Sequence, residues 1–63
     1  MYNIGDKFRR AGRIFGPQVF VVIDKIYNKF TMETLYVLQH TVFKNAVVDE
    51  ISEDTLNKDY IKI

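Results

Sequence analysis

Between Gln18 and Tyr27 the chain strings together Val19, Phe20, Val21, Val22 and Ile23, then Asp24-Lys25, then Ile26 and Tyr27. Five of those ten residues are β-branched and two are aromatic. Branching at Cβ crowds a helical turn but suits a pleated surface, so the stretch predicts a strand. A strand with one wet face would alternate apolar and polar. Here the even positions carry Phe20, Val22 and Ile26, and the odd ones Val19, Val21, Ile23 and Tyr27, so both faces are apolar. Thr34 to Phe43 repeats the feature, with Tyr36, Leu38 and His40 on one face and Leu35, Val37 and Gln39 on the other. Asn28 to Glu33 between them reads as a hairpin loop.

The flanking sequence supplies three more short strands separated by turn residues, the spacing of an all-β domain. One runs from Ile4 to about Gly12, with Phe8 as its main apolar residue. Gly12, Gly16 and Pro17 mark a loop, and Pro17 suits a strand entry because it cannot donate to a ladder. Lys44-Asn45 is a turn before a strand at Ala46 to Ile51, and Tyr60 to Ile63 closes the chain. In between, Ser52 reads as an N-cap with Glu53 and Asp54 in the first turn of a short helical segment. A longer helix from Asp49 onward is the competing reading, because Val47, Val48, Ile51 and Leu56 share a helical spacing. The fold expected is mainly β, a single domain over residues 1–63: a five-stranded small barrel with one short 3₁₀ or helical turn before its last strand.

Sixty-three residues make a thin core, and without cysteine no disulfide or thiolate metal site can staple it. Stability therefore has to come from packing, for which nine aromatics are at hand, or from association. No basic-then-apolar leader opens the chain and the longest apolar run, Val19 to Ile23, is far short of a membrane span. The expectation is a soluble, cytoplasmic protein with no membrane partner.

The order of elements resembles the SH3-like small barrels, in which a one-turn 3₁₀ helix precedes the last strand. The likeness is carried by Ile4-Gly5-Asp6-Lys7-Phe8, by the hairpin Val19–Phe43, and by Ile51-Ser52-Glu53-Asp54-Thr55-Leu56 with Tyr60-Ile61-Lys62-Ile63. It spans nearly the whole chain as a pattern. The residues favoured by AT-rich codons (Phe, Tyr, Met, Ile, Asn, Lys) are abundant, which suggests the small phage and low-GC bacterial proteins that use such barrels. The resemblance implies the fold and little of the function, because such barrels serve diverse functions. It does not imply proline-rich peptide recognition, because the chain has no tryptophan.

Catalytic groups are few. Ser52 is the one serine and His40 the one histidine, and Ser52 is better used as a helix cap than as a nucleophile. His40 with Arg9, Arg10 or Arg13 could serve a small ribonuclease-like toxin, but near a strand end it reads as a surface residue. Asp49-Glu50 are strand neighbours expected on opposite faces, and Glu53-Asp54 fit the helix start. No acidic loop or glycine loop has the spacing of a calcium or phosphate site. No enzyme, cofactor, metal or small-molecule substrate is expected.

Charge is uneven along the chain. Up to Thr31 six cations stand against two carboxylates, and from Met32 onward three stand against six. Lys7, Arg9, Arg10 and Arg13 lie close together beside Phe8 and Phe15, a combination that can hold phosphates and stack bases. Nucleic-acid binding through these six residues is thus one expectation. The leading one is a non-catalytic module that binds a protein partner or itself, as a homodimer, through the second face of the hairpin. That face would present Val21, Ile23, Tyr27, Leu35 and Val37.

Overall fold

Strands β1 (Lys7–Arg10), β2 (Val19–Asn28), β3 (Glu33–His40), β4 (Val47–Ser52) and β5 (Tyr60–Lys62), with helix α1 (Glu53–Asp59) before β5, make up the computed structural model. It describes residues 1–12 and 18–63, and the expected loop around Gly16 and Pro17 lies outside them. All pairings are antiparallel, in the order β4-β3-β2-β1-β5. The mainly β fold and the order of elements match the sequence reading. The closed barrel does not: β4 and β5 are the free edges of an open sheet among the described residues. A three-residue β5 and an irregular β4 leave little ladder with which to close it.

One face of the sheet carries the core. Phe8, Phe20, Val22, Tyr36, Leu38 and Ile51 meet Leu56 of α1 and Tyr60 of β5, with Tyr2 packed on top. Tyr2 stands edge-on to Phe8 at 4.8 Å and to Tyr36 at 5.9 Å, the arrangement aromatic quadrupoles favour. The chain reaches this position through a turn in which the Asp6 N–H donates to the Asn3 carbonyl. Gly5 takes φ +97 there, where a Cβ would be strained. The segment ahead of β1 is thus a lid on the core.

Helix α1 starts as read, with Ser52 Oγ accepting from the Thr55 N–H at 3.2 Å and Glu53 and Asp54 in the first turn. A helix from Asp49 is excluded because Val48 and Ile51 pair with Leu38 and Tyr36 of β3. Strand β3 ends sooner than expected, at His40, and Thr41 to Phe43 belong to a tight turn. His40 is a correction: it is 6% exposed, edge-on to Phe20 at 5.2 Å, and not on the strand surface. Its Nδ1 accepts from the N–H groups of Val42 and Phe43, each at 3.0 Å, which leaves the ring proton on Nε2.

Two β-bulges face each other across Val37. Val22 pairs with Leu38 and Asp24 with Val37, so Ile23 is an extra residue in β2. On the other side Leu38 pairs with Val48 and Tyr36 with Ile51, so Asp49 and Glu50 both stand opposite Val37. Bulges bend a strand and break its alternation. Asp49 and Glu50 therefore do not follow the simple opposite-face rule.

Tyr36 ties the lid to the helix. Its hydroxyl accepts from the Tyr2 N–H at 3.1 Å and donates to Glu53 Oε1 at 2.6 Å. Burial, and then the bond to Glu53, push this hydroxyl above the ordinary tyrosine value of 10.0. Above that pH the unfolded chain loses the proton while the folded one keeps it, so stability present below it declines as pH rises. Tyr36→Phe should cost about 1–2 kcal/mol at neutral pH. Urea titrations at rising alkaline pH should also show a shallower decline for the variant than for the parent.

Candidate interaction surface

Residues directly opposite each other on paired strands share a face, so the register sorts every side chain of the hairpin. On the core face Phe20 pairs with His40, Val22 with Leu38, Lys25 with Tyr36 and Tyr27 with Thr34. On the outer face Val21 pairs with Gln39, Asp24 with Val37 and Ile26 with Leu35, and Gln39 pairs onward with Val47. Ile23 is the hinge: one inserted residue moves everything after it to the other side. Among the described residues α1 and the lid both sit on the core side, and neither covers this outer face.

Four of the five expected contact residues therefore meet around the outer face. Val21 and Leu35 are half-buried by their neighbours, Ile23 is exposed in the bulge, and Val37 is 9% exposed between the two bulges. Val37 is a correction in part, since it forms the floor of the surface and offers little to a partner. Tyr27 is 55% exposed and borders the same cavity as Ile26 and Leu35. The bulge puts it on the core face, past the end of the core, where its hydroxyl donates to Met32 Sδ at 3.4 Å. Ile26, 41% exposed and paired with Leu35, joins the other four on the outer face. Val47 on β4, across Gln39 from Val21, and Ile61 on β5, which pairs with Arg9, also lie exposed on the outer face. Nothing in the run Val22-Ile23-Asp24 marks the inserted residue except a carboxylate in mid-strand.

The basic cluster is divided by the same rule. Lys7 pairs with Val21 and Arg9 with Val19, so both lie on the outer face. Arg10 pairs with Tyr60 and lies on the opposite face. Phe8 is 1% exposed in the core and cannot stack on a base, which corrects its expected role. Arg13 and Phe15 fall outside the described residues. Among the described residues the only ion pair within 4.0 Å joins the N-terminal ammonium to Glu53, at 3.8 Å. Lys7, Arg9, Asp49 and Glu50 are all exposed, and none has an opposite charge at that range among the described residues. The carboxylate of Asp24 is occupied locally, accepting from the Lys25 N–H at 2.8 Å.

No family model, curated protein or solved structure matches the chain. The reading of this surface therefore rests on its own geometry. Among the described residues no group of three metal-ligating side chains converges. No helix is long and apolar enough to cross a membrane. His40 and Ser52 are both engaged in local structure, as the anchor of the turn after β3 and the cap of α1.

Beyond the sheet, the hairpin tip projects further apolar surface. Phe30 is 99% exposed and Met32 is also largely exposed. The Asn28 side chain shapes the tip by accepting from the Phe30 and Thr31 N–H groups, at 2.9 and 3.3 Å. Met32 closes the loop at φ 60, in the left-handed region that costs a non-glycine residue on the order of 1 kcal/mol or more. Met32→Gly should therefore raise the unfolding free energy by about 0.5–1 kcal/mol, read by urea titration. A loss of stability would mean that the Met32 contact with Tyr27 outweighs the backbone strain.

Proposed function

We propose that this chain is a small non-catalytic interaction module that docks a protein partner, a further copy of itself included, through the outer face of the β2–β3 hairpin. One observation carries the reading. Val21, Ile26 and Leu35, over a floor of Val37 and with Asp24 between Val21 and Ile26, give the outer face apolar surface that no element among the described residues covers. A module this small has little apolar surface to spare, and an uncovered apolar area rimmed by charge is the common form of a docking site. The order of strands, with a helix before the last, supports kinship with SH3-like small barrels, in element order and without closure.

The test is a comparison of baits. The parent chain and the Ile26→Lys variant are immobilised at equal density and exposed to cell extract and to the free chain. Ile26 is exposed, so the variant should keep the parent's urea midpoint, with an effect within about 0.5 kcal/mol. A protein held by the parent and released by Ile26→Lys supports the reading. Equal retention on both baits, or retention on neither, would refute it.

A further inference from the structure

We infer that the partner docked on the outer face is a basic peptide segment of another protein, a large apolar side chain flanked by lysine or arginine. This rests on the docking reading and adds the chemistry of the partner. Its starting point is a groove of about 390 Å³ at the hairpin end, lined by Ile26, Tyr27, Phe30 and Leu35 together with Lys29 and Glu50. Mostly apolar walls with a few polar groups are the usual make-up of a binding site. Ile26, Tyr27 and Phe30 are exposed, so the groove is shallow. It suits one side chain of a segment lying across it, the anchor-in-pocket form of a hot spot.

Carboxylates frame this groove. Asp24 stands two residues before Ile26 and Glu33 two residues before Leu35, which puts both on the outer face with them. The β4 bulge sets Asp49 and Glu50 opposite Val37, two residues along β3 from Leu35. All four are exposed, and none has a cation within 4.0 Å among the described residues. Against them stands Lys29 in the turn, because Lys25 pairs with Tyr36 on the core face. Lys7 is level with Gln39, four residues along β3 from Leu35, and Arg9 is further still. Four residues of strand span about 13 Å, beyond the Debye length of about 8 Å at physiological salt.

The hairpin end of the face is therefore acidic around an apolar centre. Nucleic-acid phosphates or an acidic partner would meet like charge there, and a purely apolar one would bury carboxylates without partners. A second copy laying this same region on itself would set carboxylates against carboxylates. A basic segment neutralises the frame as its apolar side chain fills the groove.

The probe is a random library of linear peptides displayed on phage, selected on the immobilised parent chain. Enriched sequences should carry a large apolar residue with lysine or arginine beside it. The consensus, made as a fluorescent peptide, is then titrated by polarisation. Ile26→Lys should abolish binding. Asp24→Asn, Glu33→Gln and Glu50→Gln combined should weaken it at least about tenfold. Asparagine at 24 keeps an acceptor for the Lys25 N–H. Lys7→Gln with Arg9→Gln should change it by less than about twofold, and added salt should weaken the parent complex. Every substituted residue is exposed, and urea titration of each variant checks that it folds.

Enrichment of sequences without cations, or no enrichment at all, overturns the inference. So does a triply neutralised chain that binds the peptide as tightly as the parent. The docking reading fails differently, when Ile26→Lys binds the selected peptide as the parent does. A cation-free peptide released by Ile26→Lys would remove the basic partner and leave the docking face standing.

Discussion

Phe8→Ala should remove about 3–5 kcal/mol and leave the domain largely unfolded at room temperature, measured by urea titration with far-UV circular dichroism. Truncating a buried phenylalanine forfeits its transfer energy and leaves a cavity. Here the ring is enclosed by the lid residue Tyr2 at 4.8 Å and by the cluster around Tyr36, Leu38 and Leu56. A core of this size supplies only about 3–5 kcal/mol in total, so the loss is comparable to the whole. Phe30→Ala removes the same atoms from a fully exposed position and should change stability by less than about 0.5 kcal/mol. The pair of variants also separates two roles for an aromatic beside Lys7, Arg9 and Arg10. A nucleobase platform at Phe8 would lose binding and keep the fold, and a core residue loses the fold.

Replacing His40 by Phe should cost about 1–3 kcal/mol and free the turn after β3. The phenylalanine ring can still pack on Phe20, but it has no acceptor for the Val42 and Phe43 N–H groups. Amide hydrogen exchange at Val42 and Phe43 should accelerate strongly, while that at Val22 and Leu38 follows the global change. His40→Asn gives the complementary result, because its Oδ1 can stand near the position of Nδ1. Protection at the two turn amides should largely survive in Asn even though the lost ring weakens packing. Equal exchange in both variants would show that packing and not the acceptor holds the turn.

Several features of this fold were open to view in the sequence because they depend on nearest neighbours. The Ser52 cap with its two acids is local chemistry, and so is the strand preference of Val19 to Ile23. The double-sided hairpin followed from counting apolar residues in both phases, and among the described residues the helix and the lid both pack on the other face. Other features depend on the partner strand and were hidden. Phe8 sits among cations, and only the register with Phe20 and Lys62 shows that it points to the core. His40 has the composition of a surface position, and its burial follows from the turn that folds back onto Nδ1. The insertion at Ile23 is the most consequential of these. Both Ile26 and Tyr27 are apolar enough to face a partner, and the choice between them was made by one extra residue upstream. Closure of the barrel was equally out of reach, since it depends on whether β4 and β5 meet.

Interstrand proton–proton NOEs across the β2–β3 hairpin measure that insertion directly. The structure predicts contacts that pair Ile26 with Leu35, Lys25 with Tyr36 and Tyr27 with Thr34, placing Ile26 on the same outer face as Val21. A regular ladder continued from Val22 and Leu38 would instead pair Ile26 with Thr34 and Lys25 with Leu35. Finding those contacts would return Tyr27 to the outer face and take Ile26 off it, and the docking surface proposed for this chain would be contradicted.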